Sequence, residues 1–343
     1  MFKFLFFLLL ANPIEFDVND FEGLMGKETL HWEHVTEARD LSMLGFAKGL
    51  YEKNKMAQYT LKGRYKIPPV VHFIWLGPQP FPPESVENVR DWIEKNPGWT
   101  VKFWTDRNRE PPCAGMEKML VSDFQFSKLG GHFEQSRNWG EKSDLLRYEI
   151  LYQEGGIYVD HDANCLSPFE GMHRGYDFFC GLETPHEPFV GRSITCGNAV
   201  IGAAAHHPTM SRVIDLIAER WDGLGEKYQG SDEYSRIEVV MQRTYIALTD
   251  AIEQTIDRYG NVDVIFPAAY FFAKSGISPL YCRHLFSSAW IESKERKTKE
   301  EHTREQDLGK IRQKNRSVAI LLAVLFVFNG SVLGYVFLKR RRT

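Results

Sequence analysis

Two carboxylates stand close together in the segment Ile157–Asp162, and their spacing could hold a metal ion. The segment predicts a short β-strand, along which alternate side chains share a face, so Tyr158, Asp160 and Asp162 would project together. Unpaired carboxylates are costly to bury, and a cation is therefore expected to neutralise them. Hard oxygen ligands favour Mg²⁺ or Mn²⁺, and an ion held by two carboxylates keeps positions open for phosphate oxygens.

A helix predicted over Ser143–Gln153 precedes this strand and carries a second polar group. Gly155 and the glycine after it end the helix where a positive φ is needed. Asp144, Arg147 and Tyr148 stand at positions i, i+3 and i+4, so Asp144 can share a face with the other two. A carboxylate and a guanidinium beside a metal site suit a ligand with hydroxyls and phosphates, such as a nucleotide sugar.

The helix and the strand together match the pattern S-D-x-x-R-Y-x-x-L-x-x-x-G-G-x-Y-x-D-x-D, at Ser143, Asp144, Arg147, Tyr148, Leu151, Gly155, Gly156, Tyr158, Asp160 and Asp162. This segment resembles the DXD-containing glycosyltransferases of family 32, the yeast initiation-mannosyltransferase type. It is also similar to the catalytic domains of the large clostridial glucosylating toxins. A lone D-x-D is weak evidence, whereas so many positions in register are specific. The alternative is an ordinary helix, turn and strand with acidic surface residues.

The resemblance implies a fold and a set of contacts to the donor. The fold would be α/β, of the GT-A nucleotide-sugar-binding type, with a mostly parallel central sheet. In the resembled families the aromatic residue at the place of Trp75 stacks on the donor base, and an Asn at the place of Asn198 reaches the donor sugar. Tyr148 and Tyr158 are further candidates for contact with the donor. The alternatives are core packing for Trp75 and a plain polar strand end for Asn198.

The segment before residue 291 keeps the family's His-x5-Trp spacing through His284 and Trp290, although Ala289 replaces the usual Ser. In relatives this segment closes over the diphosphate and contributes to the metal site. The resemblance therefore makes His284 a third metal ligand and Trp290 a lid residue, the alternative being a structural histidine. Arg243-Thr244-Tyr245 stands where the family has T-G-P, and we carry over no role to that stretch.

The resemblance further implies a mechanism. Asp162 would bind Mn²⁺ or Mg²⁺ directly, and Asp160 would act through the ion or the ribose. Asp144 and Arg147 would hold sugar hydroxyls. These families retain the anomeric configuration, and no separate carboxylate can be assigned as a base, so a front-face displacement is the hypothesis. The donor would be a UDP- or GDP-linked hexose or N-acetylhexosamine, and the acceptor a glycan or lipid.

The apolar and polar patterns predict a sheet built around these residues. Pro-flanked and alternating apolar runs predict strands, and 3.6-residue periodicity predicts helices. Strand, helix and strand in that order indicate a βαβ unit. The predicted strands are Ile67–Gly77, Thr100–Thr105, Tyr176–Thr184, Ile194–Ala203 and Val262–Phe266, and the predicted helices are Glu84–Asn96, Thr209–Trp221 and Glu238–Arg258.

Composition places the chain among ordinary globular proteins. Its 343 residues carry a formal net charge of −3, which gives no case for a nucleic-acid partner. The five cysteines, Cys113, Cys165, Cys180, Cys196 and Cys282, include no C-x-x-C pair, which argues against a zinc site or a disulfide scaffold.

The two ends of the chain suggest a membrane protein. Residues 1–15 read as a short signal peptide or a buried apolar N-terminus, and residues 16–66 as a helical extension before a catalytic domain at 67–291. Residues 292–317 form a charged tether, 318–338 a transmembrane helix without charge, and 339–343 a basic tail. Basic residues on both sides balance, so the catalytic domain could be luminal or cytosolic.

Two other classes of function compete with this interpretation. A strand that ends in D-x-D is also the nucleophile site of haloacid-dehalogenase-like phosphatases, whose aspartate is phosphorylated during turnover. The helix and glycine pair before the strand, and Ala163-Asn164 after it, fit that class badly. The other alternative is an inactive sugar-nucleotide-binding membrane protein.

Overall fold

A computed structural model describes residues 17–227 and 233–287 of the chain. The helices of this part are α1 (Phe21–Leu24), α2 (Ala38–Asn54), α3 (Val86–Lys95), α4 (Gly130–Gln135), α5 (Trp139–Gln153), α6 (Glu170–Gly175), α7 (Pro208–Lys227), α8 (Glu233–Val240) and α9 (Ile246–Thr255). The strands are β1 (Val70–Ile74), β2 (Thr100–Thr105), β3 (Met116–Leu120), β4 (Gly156–Val159), β5 (Ala163–Cys165), β6 (Phe178–Leu182), β7 (Cys196–Ala203), β8 (Asp263–Phe266) and β9 (Cys282–His284).

Seven of these strands form one twisted sheet in the order β3-β2-β1-β4-β7-β6-β8. Strand β7 runs antiparallel to both of its neighbours, and the other four pairs are parallel. The predicted α/β fold with a mostly parallel central sheet is therefore confirmed. The remaining strands, β5 and β9, form a separate antiparallel ribbon.

The central strands are apolar because both of their faces are covered. All four residues of β4 are buried, as are four of the five residues of β1. Helix α5 packs beside these strands and buries most of its length, from Leu145 to Leu151. Because β1 and β4 are parallel, their carboxyl ends lie at the same edge of the sheet, which brings Trp75 and Asp160 to one side of the molecule.

The predicted helix at Ser143 begins earlier than the sequence pattern suggested. Asn138 caps α5, since its side chain accepts a hydrogen bond from the amide of Glu141. The helix ends at Gln153 as predicted, and Gly155 follows with a φ of +67°. Strand β2 has its predicted bounds, whereas Ile67–Gly77 shortens to the five residues of β1. The long helix predicted at Glu238–Arg258 is interrupted by a π-helical turn at Met241–Tyr245.

The chain divides into two units, residues 1–229 with 239–290, and residues 230–238 with 291–343. The first contains both sheets and the N-terminal helices. There α2 packs on β8, and the hydroxyl of Tyr51 lies 2.9 Å from that of Tyr270. Of the second unit, residues 233–238 are described, and they are helical.

Among the described residues, none of the helices combines the length and the apolar character that a bilayer crossing requires. The predicted N-terminal segment 1–15, the tether 292–317, the transmembrane helix 318–338 and the basic tail 339–343 lie outside the described residues. They stay predictions.

Candidate functional site

The two acidic residues lie in a turn, and the predicted strand through Asp162 is wrong in its last three residues. Strand β4 stops at Val159, and Ala163 donates its amide hydrogen to the carbonyl of Asp160 at 3.1 Å. The amide of Leu285 then holds the carbonyl of Asp162 at 2.9 Å. The carboxylates converge because the chain reverses between β4 and β5, and strand alternation is not the cause.

His284 completes a group of three ligand-bearing side chains. It lies directly opposite Ala163 in the ribbon, so its ring stands beside the acidic turn. Its Nε2 is 3.3 Å from Asp162 Oδ1 and 3.8 Å from Asp160 Oδ2. Ligand atoms of all three residues lie within 4.8 Å of one another. The His284 Nδ1 atom is buried and has no hydrogen-bond partner.

The pKa values of this group reflect a competition between burial and charge. Burial alone would raise the pKa of Asp162, but the hydrogen bond and charge of His284, the charge of His161 and the amide of Ser287 hold it well below its usual range. Burial alone would lower the pKa of His284, but Asp162 and Asp160 outweigh it and raise the value. The two carboxylates that favour the protonated form of His284 would also attract a metal cation to the same place.

Arg147 joins the acidic turn to helix α5. Its guanidinium lies 2.7 Å from Asp144 and 3.2 Å from Asp160, and it donates to the carbonyl of Asn198 at 2.6 Å. The guanidinium also stacks over the ring of Tyr158 at 4.0 Å. Its side chain is 6% exposed, so these contacts fix its position. A buried guanidinium with planar hydrogen bonds is well suited to orient neighbouring carboxylates.

Asp144 is held by three side chains. It accepts hydrogen bonds from Asn198 Nδ2 at 3.2 Å and from Thr244 Oγ1 at 2.5 Å, besides its ion pair with Arg147. Burial raises the pKa of Asp144 to about 6, against the opposing effects of Arg147 and Thr244. Asp144, Arg147 and Asn198 are thus brought together as one hydrogen-bonded group.

Thr244 is a site residue that the sequence did not reveal. Its hydroxyl is aimed at Asp144 from the π-helical turn Met241–Tyr245. Such turns are frequent at functional sites. Arg243-Thr244-Tyr245 stands where the resembled family has T-G-P. That correspondence was the sign in the sequence that this turn could belong to the site.

Trp75 lies next to the acidic turn, against His161. Its ring is half-buried and meets the ring of His161 edge-on at 4.9 Å, and its Nε1 donates to the carbonyl of Gln79 at 2.9 Å. His161 is itself held by a 2.8 Å hydrogen bond between its Nδ1 and Ser85 Oγ. The aromatic side chain predicted to stack on the donor base therefore contacts the residue between the two acids.

Two other predicted residues, Tyr148 and Tyr158, are buried behind this surface. Tyr148 is buried, and its hydroxyl donates to the carbonyl of Thr244 at 3.0 Å. Tyr158 is buried beneath Arg147, with its hydroxyl on Asp160 at 2.5 Å. The structure thus places both tyrosines behind the site, where they support Arg147, Asp160 and the π-helical turn. Trp290 lies outside the described residues.

The donor set fits a divalent cation. In the described part of the chain, the ion pairs of Asp144, Asp160 and Asp162 involve one permanently charged group, the Arg147 guanidinium, besides the titratable His284. The three carboxylates therefore exceed the permanent positive charge. Uncompensated charge at partly buried positions is unfavourable. Two carboxylates and an imidazole suit hard or borderline divalent ions. Asp160, Asp162 and His284 therefore form a candidate metal centre.

Comparison with known proteins agrees with this site. Residues 82–179 match the model of the family described as glycosyltransferase sugar-binding region containing DXD motif. This part of the chain matches the DXD-containing glycosyltransferase family, and the resemblance predicted from residues 143–162 is confirmed. The match therefore assigns residues 82–179 to a glycosyltransferase sugar-binding region.

Several curated proteins are similar to part of the chain. "Subversion of eukaryotic traffic protein A" of Legionella pneumophila is 34% identical over 113 residues, which cover 29% of this chain and 17% of that protein. An uncharacterized glycosyltransferase of Acanthamoeba polyphaga mimivirus is 28% identical over 43% of this chain and 54% of its own length. Inositol phosphoceramide mannosyltransferase 3 of Schizosaccharomyces pombe is 26% identical over 43% of this chain and 36% of its own length. The chain thus spans about half or less of these relatives.

Two solved structures are similar over larger shares of the chain. The PaToxG glycosyltransferase is 17% identical, with a TM-score of 0.44 over 64% of this chain and 81% of its own. The UDP-bound glycosyltransferase domain of the YGT toxin is 11% identical, with a TM-score of 0.42 over 59% of this chain and 80% of its own.

Proposed function

We propose that this glycosyltransferase is metal-dependent and retaining, and that it moves a hexose or N-acetylhexosamine from a UDP- or GDP-linked donor to a glycan or lipid acceptor. The observation that carries the proposal is the convergence of Asp160, Asp162 and His284 beside the Asp144–Arg147 pair, at the edge of the sheet where Trp75 emerges.

Asp160, Asp162 and His284 would hold Mn²⁺ or Mg²⁺, because their ligand atoms lie close enough to share one ion. When bound, that ion would act as a Lewis acid toward the departing diphosphate. The ion would also displace the proton that the carboxylates attract to His284, which couples metal binding to pH.

The other polar residues would position the sugar. Asp144 and Asn198 are tied to each other and to Arg147, so a hydroxyl that binds one of them meets a rigid arrangement. Holding the anomeric carbon in a fixed place is the main contribution that such residues make to the rate. No further Asp or Glu is assigned as a base, in keeping with a front-face displacement in which the leaving phosphate accepts the acceptor's proton.

A membrane location is part of the proposal. The uncharged stretch 318–338 has the length of a bilayer span and ends at a basic tail, so the catalytic domain would be tethered by residues 292–317. The domain would lie either in the lumen of the secretory pathway or on the cytosolic face. A membrane location favours a lipid acceptor, and the fission-yeast relative is named for a mannosyl transfer involving a ceramide lipid.

The test is donor hydrolysis by the full-length protein in detergent, with a panel of UDP- and GDP-linked sugars. We expect one donor to be hydrolysed with Mn²⁺ or Mg²⁺ and not after EDTA treatment. Asp160→Asn and Asp162→Asn should abolish this activity, whereas Asp123→Asn, which changes an exposed acid far along the chain, should not. Hydrolysis that survives EDTA or both site substitutions would refute metal dependence.

The same assay separates the rival functions. A phosphatase of the haloacid-dehalogenase kind would form a phospho-aspartate that can be trapped, and the family match gives that alternative no support. An inactive binder would bind a nucleotide sugar without hydrolysing it in the absence of acceptor.

A further inference from the structure

Two of the five cysteines lie opposite each other in the ribbon that carries His284. Cys165 of β5 pairs with Cys282 of β9, which lies 117 positions later in the sequence. Both are fully buried, and both are free thiols. The spacing of the cysteines along the chain gave no sign of this pair.

The backbone pattern shows which kind of antiparallel pair they form. The amide of Leu166 donates to the carbonyl of Tyr281, and the amide of Leu285 donates to the carbonyl of Asp162. Hydrogen-bonded and non-hydrogen-bonded pairs alternate along such a ribbon. The pair between Cys165 and Cys282 is therefore a non-hydrogen-bonded one, in which the side chains stand closest.

This geometry is compatible with a covalent bridge. Opposite Cα atoms of a non-hydrogen-bonded pair are about 4.5 Å apart, within the range of about 4.4–6.8 Å that disulfides span. The two side chains project from the same face of the ribbon, because directly opposite residues do so. The Cα separation expected for this pair lies at the lower end of the range that a disulfide bridges.

We propose that Cys165 and Cys282 are an oxidisable pair whose disulfide fastens the ribbon that presents His284 to the acidic turn. His284 is two residues after Cys282 and shares its face, opposite Ala163. A bond at the neighbouring pair would therefore hold His284 against Asp162 and limit its separation from the turn.

The oxidant would be a low-molecular-weight disulfide such as oxidised glutathione. One cysteine thiolate attacks it, which forms a mixed disulfide and releases one glutathione thiol. The second cysteine displaces the other glutathione, so two protein thiols lose two electrons and two protons to give one disulfide and two glutathione thiols. Because both thiols are buried, the exchange occurs when the short ribbon opens locally or during folding.

A second pair of thiols offers an internal comparison. Cys180 and Cys196 are in contact, but they lie on β6 and β7, which are inner strands of the large sheet. Their register is interrupted by a bulge, so they are not directly opposite. We expect this pair to stay reduced under conditions that oxidise the ribbon pair.

The experiment treats the full-length protein with oxidised glutathione, alkylates the remaining thiols and digests with trypsin. Cys165 lies in the peptide 148–174 and Cys282 in the peptide 275–283, each without a second cysteine. We expect a disulfide-linked pair of these peptides by mass spectrometry, in the wild type and in Cys180→Ser but not in Cys282→Ser. A second arm refolds the protein from urea in a glutathione redox buffer, so slow opening of the ribbon cannot conceal the pair.

Two results would overturn the proposal. One is that Cys165 and Cys282 are alkylated, or carry glutathione singly, in both arms. The other concerns the ribbon itself: in the oxidised protein, hydrogen exchange at the amides of Leu166 and Leu285 should slow by about tenfold. An unchanged exchange rate despite a verified disulfide would show that the bond does not fasten the ribbon. Neither readout depends on catalytic activity.

Discussion

Replacing Thr244 by Val removes the hydroxyl that supports Asp144 and leaves the shape of the side chain nearly unchanged. Thr244 is fully buried, and its Oγ1 lies 2.5 Å from Asp144 Oδ2. In the variant, one oxygen of a buried carboxylate has no hydrogen-bond donor from this side. We expect the protein to fold, to be less stable and to bind the donor sugar less productively.

The size of the effect follows from the charge of the acceptor. A hydrogen bond to a charged group contributes about 1.5–3 kcal/mol, whereas a neutral one contributes about 0.5–1.5 kcal/mol. Asp144 is ionised above its pKa of about 6, so the larger range applies at neutral and alkaline pH. The hydroxyl also lowers the pKa of Asp144, and its loss should therefore raise that pKa further.

The assay is urea denaturation at about pH 8, above the pKa of Asp144, combined with kcat/KM for donor hydrolysis. Thr249→Val is the matched control, because Thr249 is equally buried and its hydroxyl accepts the amide of Cys196 at 3.0 Å, away from Asp144. Both variants should lose stability, but only Thr244→Val should lose kcat/KM by about tenfold or more.

The reasoning can be refuted by a double-mutant cycle. In an Asp144→Asn background the partner is neutral, so Thr244→Val should cost only the smaller range. If the loss is the same in both backgrounds, Thr244 acts through packing and its link to the Asp144 charge is wrong. A normal kcat/KM in Thr244→Val would contradict the positioning role directly.

Three further predictions follow from the site. The folded state raises the pKa of Asp144 from 3.8 to about 6, so the folded protein binds this proton more tightly than the unfolded chain does. The free energy of unfolding should therefore fall by about 3 kcal/mol as the pH rises from 3.8 to about 6. This fall should be absent in Asp144→Asn. The affinity for Mn²⁺ should rise with pH as the pH passes the raised pKa of His284. His284→Gln should bind Mn²⁺ more weakly, and its affinity should depend less on pH. If titration calorimetry shows the same change of affinity with pH in both proteins, the prediction is wrong. In steady-state kinetics, Trp75→Leu should raise the KM for the donor by about tenfold with little change in kcat. Trp139→Leu, which changes an exposed tryptophan, should leave the KM for the donor unchanged. Equal effects of the two substitutions on KM would argue against stacking of Trp75 on the donor base.

Patterns of neighbouring residues predicted those helices and strands whose bounds depend on neighbouring residues. The alternating run at Thr100–Thr105 became a strand with those bounds, and the glycines at 155 and 156 ended α5 because both need a positive φ. The chain from β1 through α3 to β2 also followed the expected βαβ order, with β1 and β2 parallel. These features depend on side-chain alternation and backbone sterics, which a sequence displays directly.

Features fixed by distant parts of the chain could not be seen in the same way. The strand expected through Asp162 ends at Val159 because Asp162 is held by Leu285, more than a hundred residues later. Thr244 reaches Asp144 from a π-helical turn, whose extra residue per turn leaves no simple periodicity. The pairing of Cys165 with Cys282 likewise depends on the ribbon alone.

The resemblance located residues that spacing could not bring together. Asp160, Asp162 and His284 were expected to share a metal, and their ligand atoms converge within 4.8 Å. The tyrosines at 148 and 158 matched the same pattern, yet both are buried. A shared motif thus marks residues that build a site as well as residues that touch its ligand.

Anomalous diffraction from crystals soaked with Mn²⁺ and a hydrolysis-resistant nucleotide sugar tests the central claim most directly. The account predicts one manganese peak within about 2.0–2.5 Å of atoms from Asp160, Asp162 and His284, with a phosphate oxygen in an open position. A peak elsewhere, or a bound nucleotide sugar without metal at these three residues, would contradict it.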